Sequence, residues 1–483
     1  MRTTLILSKI PWNAVRSIVF IMSIVVFLLF TLFSFQILKP LLSVLAVAAI
    51  LVSIPKSGRG AKAFTLLFLG GGTWFLLQTG TNLMEYILSF GDMLYLLSLF
   101  AIVPVLAIPI KIGKYDEAIQ QLLERKNRTD IEYYGFITAI SFLLGSFLNL
   151  ATVPIMYHSI KNAVAKWAGE QTNKFVLSSI IHGFAVSVAW APVSGVLGVV
   201  LTVTKVDWQN IMLTLWGISV CGLFVNWMIY LQVRRLGPRF KLVERGMKYS
   251  VSMRGEESVI AAALDSNGMQ SSNPTLKIMQ ITWIIVILVV LVLALNSVFQ
   301  VGIVLIATVI ALPFAYVWSL LLKKGSLFLK GTSSYARDQL PALSEQFAIF
   351  LSAGFFVRAM NESGYHHYAN ACFVELNHWM GGQTFLILLP VLTVAFAFIG
   401  LHPIAVITLL GESLNPNQLG ISPEQLTIAL TGGAVLTFLI GPFSGTLGII
   451  STLARKSPFH VIGWSLLQAL GFFLVLVIAI LAH

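Results

Sequence analysis

The sequence predicts an all-α polytopic membrane protein with about 11 transmembrane helices plus two re-entrant hairpins, arranged in two inverted-topology repeats. Three observations carry that expectation: an apolar composition, apolar runs of membrane-crossing length, and a motif that recurs at a fixed offset. Hydrophobic residues fill 57% of 483 positions, charged residues only 10%, and the mean hydropathy is +0.88. Soluble domains carry about a quarter charged residues, so this chain has too few to coat a water-facing surface. Most of its surface therefore meets lipid.

A helix needs roughly 20 apolar residues to cross the hydrocarbon. On that measure spans fall at 17–37, 40–55, 63–79, 94–112, 175–203, 210–231, 278–297, 300–321, 344–360, 425–452 and 460–482. The first is longer than a signal-peptide core and lacks a small-residue cleavage site, so it reads as a retained helix. Two further apolar stretches, 133–160 and 383–410, carry polar or helix-breaking residues at their middles. These are Gly145, Ser146 and Asn149 in the first, and Gly400, His402 and Pro403 in the second. A break exposed to lipid would leave backbone groups unpaired, so each must be buried in protein or face water. Both stretches read as re-entrant hairpins.

Charge placement orients the spans. With the N-terminus in the cytoplasm, the inner segments 56–62, 111–132, 161–174, 232–277 and 322–343 collect most Lys and Arg, as the positive-inside rule expects. The outer segments 80–93, 361–382 and 411–424 carry carboxylates without basic residues. The expected location is a multi-pass protein of a cell membrane, a bacterial plasma membrane. The net charge of +12 lies between apolar runs, with no basic and aromatic interleaving in a polar context, which excludes nucleic acid as a partner. Two cysteines, Cys221 and Cys372, make no disulfide framework, and Cys221 inside an apolar run reads as packing.

The organisation that follows has four parts. Residues 1–62 form an N-terminal membrane hairpin, and 63–231 a first repeat with hairpin 133–160 and broken helix 175–203. Residues 232–277 form a cytoplasmic linker containing the basic cluster Arg234 to Lys248. Residues 278–483 form a second repeat with hairpin 383–410 and broken helix 425–452. The repeat rests on P-x-S-G-x-L-G, which occurs as Pro192 to Gly198 and again, 250 residues later, as Pro442 to Gly448. Gly183 and Gly433 extend the register. Apolar helices resemble one another easily, but shared Pro, Ser and Gly at fixed spacing do not arise so readily. Basic links in one half and acidic links in the other place the halves in opposite orientations.

Proline removes a backbone donor and clashes with the preceding turn, so Pro192 and Pro442 should open their helices. An interrupted helix offers N–H groups suited to an anion and carbonyls suited to a hard cation such as sodium. The candidate substrate and ion ligands are Ser146, Asn149, Thr152, Pro192, Ser194, Gly195, Gly400, His402, Pro442, Ser444, Gly445 and Thr446. The bland alternative for each hydroxyl is a bond to its own helix backbone. No Asp or Glu lies near the centre of a span, which favours sodium over protons; His182 and His402 are the titratable groups that would serve a proton. Arg358, at the end of a span, reads as snorkelling, and His366-His367 as an outer-loop pair without metal-ligand spacing. No catalytic residues and no cofactor beyond possible sodium are expected.

The segment Asn149-Leu150-Ala151-Thr152-Val153-Pro154-Ile155 resembles the hairpin signature of the ion transporter superfamily, which includes divalent-anion/sodium symporters, citrate carriers and arsenite exporters. Ala191-Pro192-Val193-Ser194-Gly195 resembles the Pro-Gly-Thr segment of its unwound helix. The resemblance implies substrate and sodium held between hairpin tips and unwound helices, an elevator motion, and a scaffold that forms a homodimer. The family's Ser-Asn-Thr tip reads Leu148-Asn149-Leu150 and Leu401-His402-Pro403 here, which opens the substrate to a smaller or less charged molecule than a dicarboxylate. The competing readings are an intramembrane enzyme, for which HExxH, GxSxG and paired carboxylates are absent, and a channel, for which no charged ring is evident.

Overall fold

The structure is a computed structural model describing residues 11–124, 129–236 and 273–483. Most of the expected linker 232–277 lies outside the described residues, including all of its basic cluster beyond Arg235. Described residues form helices and no strand. The principal helices are α1 Trp12–Phe33, α2 Leu38–Ser53, α3 Arg59–Gln78, α4 Leu94–Ile102, α5 Asp130–Leu148, α6 Thr152–Ala168, α7 Thr172–Ser187, α8 Gly195–Thr204 and α9 Trp208–Leu236. They continue as α10 Pro274–Phe299, α11 Ile303–Leu321, α12 Ser344–Glu362, α13 Tyr365–Met380, α14 Gly382–Ile399, α15 Pro403–Ser413, α16 Pro423–Ile440, α17 Gly445–Ala454 and α18 Leu466–Ala482.

Among the described residues, 11 helical runs are long and apolar enough to cross a membrane. The set differs from the expected one. Gly382–Ile399 and the run from Asp130 to Ser187 qualify, whereas α18 is a 17-residue helix beginning at Leu466 rather than 460. The first span runs from Trp12 to Phe33, not 17–37, because Pro11 precedes it and Ser34 ends it in the left-handed region. Segment 322–343, expected as a cytoplasmic link, is helical from Gly325 and continuous with α12 through a π turn at Tyr335–Gln339 and a 3-10 turn at Leu340–Leu343. Ser17 donates to the Ala336 carbonyl in that turn at 2.6 Å, which satisfies a group the irregular helix releases. The outer segment 361–382 is also largely helical, as α13. Cys221 is exposed on α9 rather than packed inside.

Both hairpins exceed their expected bounds. The first runs through α5 and α6, from Asp130 to Ala168, and the second through α14 and α15, from Gly382 to Ser413. A capping box of Thr129 and Glu132 starts α5, and one of Ser422 and Gln425 starts α16 behind Pro423. Each satisfies helix N–H groups that would otherwise have no partner.

Two sets of helices result. In one, α5 packs on α7, α14 on α16, and α7 on α16, with α9 and α18 alongside. In the other, α12 packs on α2 and α3, and α11 on α4 and α10. Large apolar side chains on α10, such as Leu276, Trp283 and Val290, remain exposed, as a lipid-facing helix requires.

Two glycines explain the closest packing in the first set. A Cβ at Gly183 would lie 2.1 Å from the Thr138 carbonyl oxygen on α5. One at Gly433 would lie 2.8 Å from Thr393 Oγ1 and 3.0 Å from Pro390 Cα on α14. Both positions carry the sequence repeat, and both let a broken helix touch the first arm of its own hairpin. Gly183→Val and Gly433→Val should each cost about 1–3 kcal/mol, read as a lower Tm of the purified protein. Gly135→Ala, where an added Cβ meets nothing within 4 Å, should instead hold or raise the Tm, since alanine suits a helix interior better by about 0.5–1 kcal/mol.

Candidate functional site at the two hairpin tips

The first tip forms where α5 ends at Leu148 and Asn149 takes φ +53°. A single 3-10 turn, Asn149–Ala151, then leads into α6 at Thr152. Gly145 and Ser146 do not break the helix, contrary to expectation. Gly145 lies within α5, and its lack of a side chain serves packing, since a Cβ would meet Ser187 Oγ at 2.3 Å. Ser146 is buried and donates to the Leu143 carbonyl at 2.8 Å, so its hydroxyl is spent on its own helix.

The second tip turns at Gly400, φ +108°, a conformation suited to glycine. His402 then caps α15, its Nδ1 accepting from the Ile404 N–H at 3.3 Å. An acceptor role for Nδ1 places the ring proton of a neutral imidazole on Nε2, leaving an N–H donor on the far side.

The two helix breaks share one geometry. After α7 the chain turns through Pro192, with Ser194 N–H donating to the Ala191 carbonyl at 3.0 Å. Ser194 Oγ accepts from Leu197 N–H at 3.5 Å and starts α8. After α16 the chain turns through Pro442, with Ser444 N–H donating to the Gly441 carbonyl at 3.1 Å. Ser444 Oγ accepts from Leu447 N–H at 3.3 Å and starts α17. Both α8 and α17 end on a left-handed basic residue, Lys205 and Arg455. The hydroxyls therefore act first as helix caps.

The four features converge by crossing over. Helix α8 packs on α15 of the other hairpin, and α17 packs on α6. A Cβ at Gly445 would lie 3.3 Å from Leu150, which puts the second break against the first tip. Four helices begin in this region, at Thr152, Gly195, Pro403 and Gly445.

A cavity of about 100 Å³ lies between the tips. Asn149, Leu150 and Ala151 reach it from one, His402 and Ile404 from the other, and Val193 and Ser194 from the first break. The facing wall belongs to the second set of helices and includes Phe100, Val103, Leu343, Gln346 and Phe350. An adjoining cavity of about 330 Å³ shares Gln346, Phe350 and His402, adds Gly400, Phe443 and Gly445, and reaches the surface at Gly58, Gly60 and Glu345. Larger spaces exist, of about 910 and 470 Å³, but neither touches a tip. The 470 Å³ space is lined by Asp92, Arg358, Glu362 and Glu412, at the other end of α12. Met93 and Gly354 also line it, packed so tightly that a Cβ at Gly354 would lie 2.6 Å from Met93 Cγ.

The central cavity is poor in charge. No Lys, Arg, Asp or Glu among the described residues lines the 100 Å³ space. Three buried polar atoms nearby have no hydrogen-bond partner: Thr152 Oγ1, Thr446 Oγ1 and Gln346 Oε1. Pro192 and Pro442 are buried in their turns and shape the backbone rather than the cavity wall. Gly195 lets the start of α8 approach Phe100, since a Cβ would lie 2.5 Å from that ring.

The remaining candidates lie elsewhere. His182 is buried between Tyr134 Oη, 2.9 Å from Nδ1, and Ser465 Oγ, 3.1 Å from Nε2, and ties α5 and α7 to the turn before α18. Arg358 does not snorkel alone: it pairs with Glu362 and, at 3.4 Å, with Asp92. Burial raises the Asp92 carboxyl above its ordinary range, and the Arg358 guanidinium opposes that rise. His366 and His367 lie on α13 with ring centroids 3.9 Å apart. Gln346, Phe350 and Phe100 were missed. A polar Gln at the mouth of the apolar run 344–360 was the available signal.

Ser444→Ala should cost about 1 kcal/mol by removing a cap, and Ser444→Asn should recover most of it, both read by thermal denaturation. The same measurement should separate His402→Asn, which keeps a capping acceptor, from the less stable His402→Leu.

No protein-family model and no curated protein sequence matches the chain. Among solved structures, the Alcanivorax borkumensis YdaH transporter, described as having an unusual topology, aligns with a TM-score of 0.59 and 15% identity. The alignment covers 86% of this chain and 97% of that one. Neisseria gonorrhoeae MtrF, described with a class of antimetabolite efflux pumps, aligns with a TM-score of 0.46 and 14% identity over 79% of this chain and 81% of that one. At these identities the likeness to YdaH speaks for architecture, and the chain is an all-α, multi-helix membrane protein of similar fold.

Proposed function

We propose that the chain is a secondary active transporter of a small organic anion, coupled to sodium and working by elevator-type alternating access. The observation that carries this reading is the central cavity, built on one side by two hairpin tips and a helix break, and on the other by a separate set of helices. Such a boundary lets one set slide against the other and carry the cavity with it. The adjoining cavity opens at Gly58 and Glu345, and the larger spaces elsewhere do not share its lining, which suits a carrier open to one side. A transporter of similar fold, YdaH, supports the same reading.

Four helix starts around the cavity favour an anion, through their N–H groups and dipoles. Sodium coupling is supported by the Thr152 and Thr446 hydroxyls, buried without partners, together with the carbonyl ends of α5 and α16, whose dipoles favour a cation and offset the helix starts. Hard oxygen ligands of this kind suit a small cation. The shared break geometry supports two repeats, and charge placement along the chain favours opposite orientations for them, a cytoplasmic N-terminus and an inward-facing opening at Gly58 and Glu345. The resemblance to the ion transporter superfamily adds a homodimeric scaffold and a bacterial plasma membrane to the proposal.

Uptake into proteoliposomes under an imposed sodium gradient, screened over carboxylates, amino acids and inorganic anions, tests the reading. Ser194→Leu and Ser444→Leu should abolish uptake while the protein still inserts, and Thr446→Val should raise the sodium concentration needed for half-maximal rate. Full activity in both serine variants would remove the site.

A further inference from the structure

We propose that Gln346 recognises the substrate directly, and that the substrate is a small, largely aromatic or apolar acid with no more than one negative charge and one hydrogen-bond donor. This rests on the carrier reading above and specifies the ligand of the same cavity.

Gln346 belongs to the wall helix α12 rather than to a hairpin, and its side chain lines both connected cavities beside His402 and Phe350. Its Oε1 is buried without a partner. A buried acceptor left unpaired costs about 1–3 kcal/mol, so the site is incomplete until a donor arrives. The donors already present point the other way. His402 offers Nε2–H, because Nδ1 is committed to the Ile404 N–H. Ser194 Oγ accepts from Leu197 N–H, which leaves its own proton available to donate. Two donors on the tip side and one acceptor on the wall side match a ligand with an acidic head and a donor set apart from it.

The rest of the lining limits the ligand's body. Phe100 and Phe350 meet with ring centroids 5.8 Å apart, Phe350 meets the His402 ring edge-on at 5.1 Å, and Phe438 adds a third phenyl group. With no cationic side chain among the described lining residues, a second carboxylate would be buried without a counter-charge. Helix starts and neutral donors offer enough for one negative charge. A dicarboxylate is disfavoured on that account.

The experiment measures binding of three probes, 4-hydroxybenzoate, benzoate and succinate, to the purified full-length protein by titration in sodium buffer. The first two differ only by a donor. The wild type should bind 4-hydroxybenzoate about tenfold more tightly than benzoate, because a site built around a polar group rejects the analogue that lacks it. Succinate should bind more weakly than either. Gln346→Met, and Gln346→Ala as a second variant, should bring the ratio of the two aromatic acids to about one while benzoate affinity holds and, in Gln346→Met, the ligand-free Tm does not fall. A ratio unchanged in both variants would overturn the proposal. Binding of succinate but neither aromatic acid would overturn it too, and would leave the carrier reading intact. Binding of none of the three, together with no uptake of any screened anion, would remove both.

Discussion

Every unusual feature of this protein depends on one constraint: backbone N–H and C=O groups inside a membrane must find partners within the protein. An unbroken helix meets that requirement alone, whereas an interrupted one needs neighbours. Interruptions at Asn149, Gly400, Pro192 and Pro442 meet around the cavity, and each is closed by local devices and packed against its neighbours. Ser194, Ser444 and His402 cap the helices that follow, and tight turns bond the residues between. The hairpin tips and breaks then shield each other by crossing over, α8 on α15 and α17 on α6. Their meeting point lies beside a cavity of about 100 Å³.

Glycine governs how close these elements come. Gly183 and Gly433 hold each broken helix against its own hairpin, with no room for a side chain. Gly72 does similar work in the second set, where a Cβ would lie 2.6 Å from the Phe355 ring. The two sets are each tightly knit, and the cavity lies where they face each other. Its wall is aromatic on the α4 and α12 side and polar at the tips, so a ligand would meet different chemistry on each side of the boundary.

Much of the architecture was legible in the sequence because it obeys local rules. Apolar runs of about 20 residues marked the spans. The repeated P-x-S-G-x-L-G marked both breaks, and the two copies adopt one geometry down to the left-handed Lys205 and Arg455 that end the helices. Both stretches expected to break do so, at Asn149 and at Gly400, but the helices on either side run longer than expected. Hydropathy marks where a helix is apolar, while α6 continues to Ala168 through polar surface residues that a capped helix tolerates. The same reasoning missed helical residues 325–343, whose polar character concealed a π turn held by Ser17 from a distant helix.

The sequence by itself determined the membrane class, the approximate spans, the repeat and the turn residues, since each follows from composition or from neighbours along the chain. Tertiary structure decided which polar groups remain available. Ser146 and His182 looked like ligands by type, yet one bonds to its own helix and the other to Tyr134 and Ser465. Gln346 looked unremarkable, yet its carbonyl lies buried and unpaired in the cavity wall. A hydrogen bond's partner is set by which helices touch, and those contacts join residues hundreds of positions apart that no local pattern records.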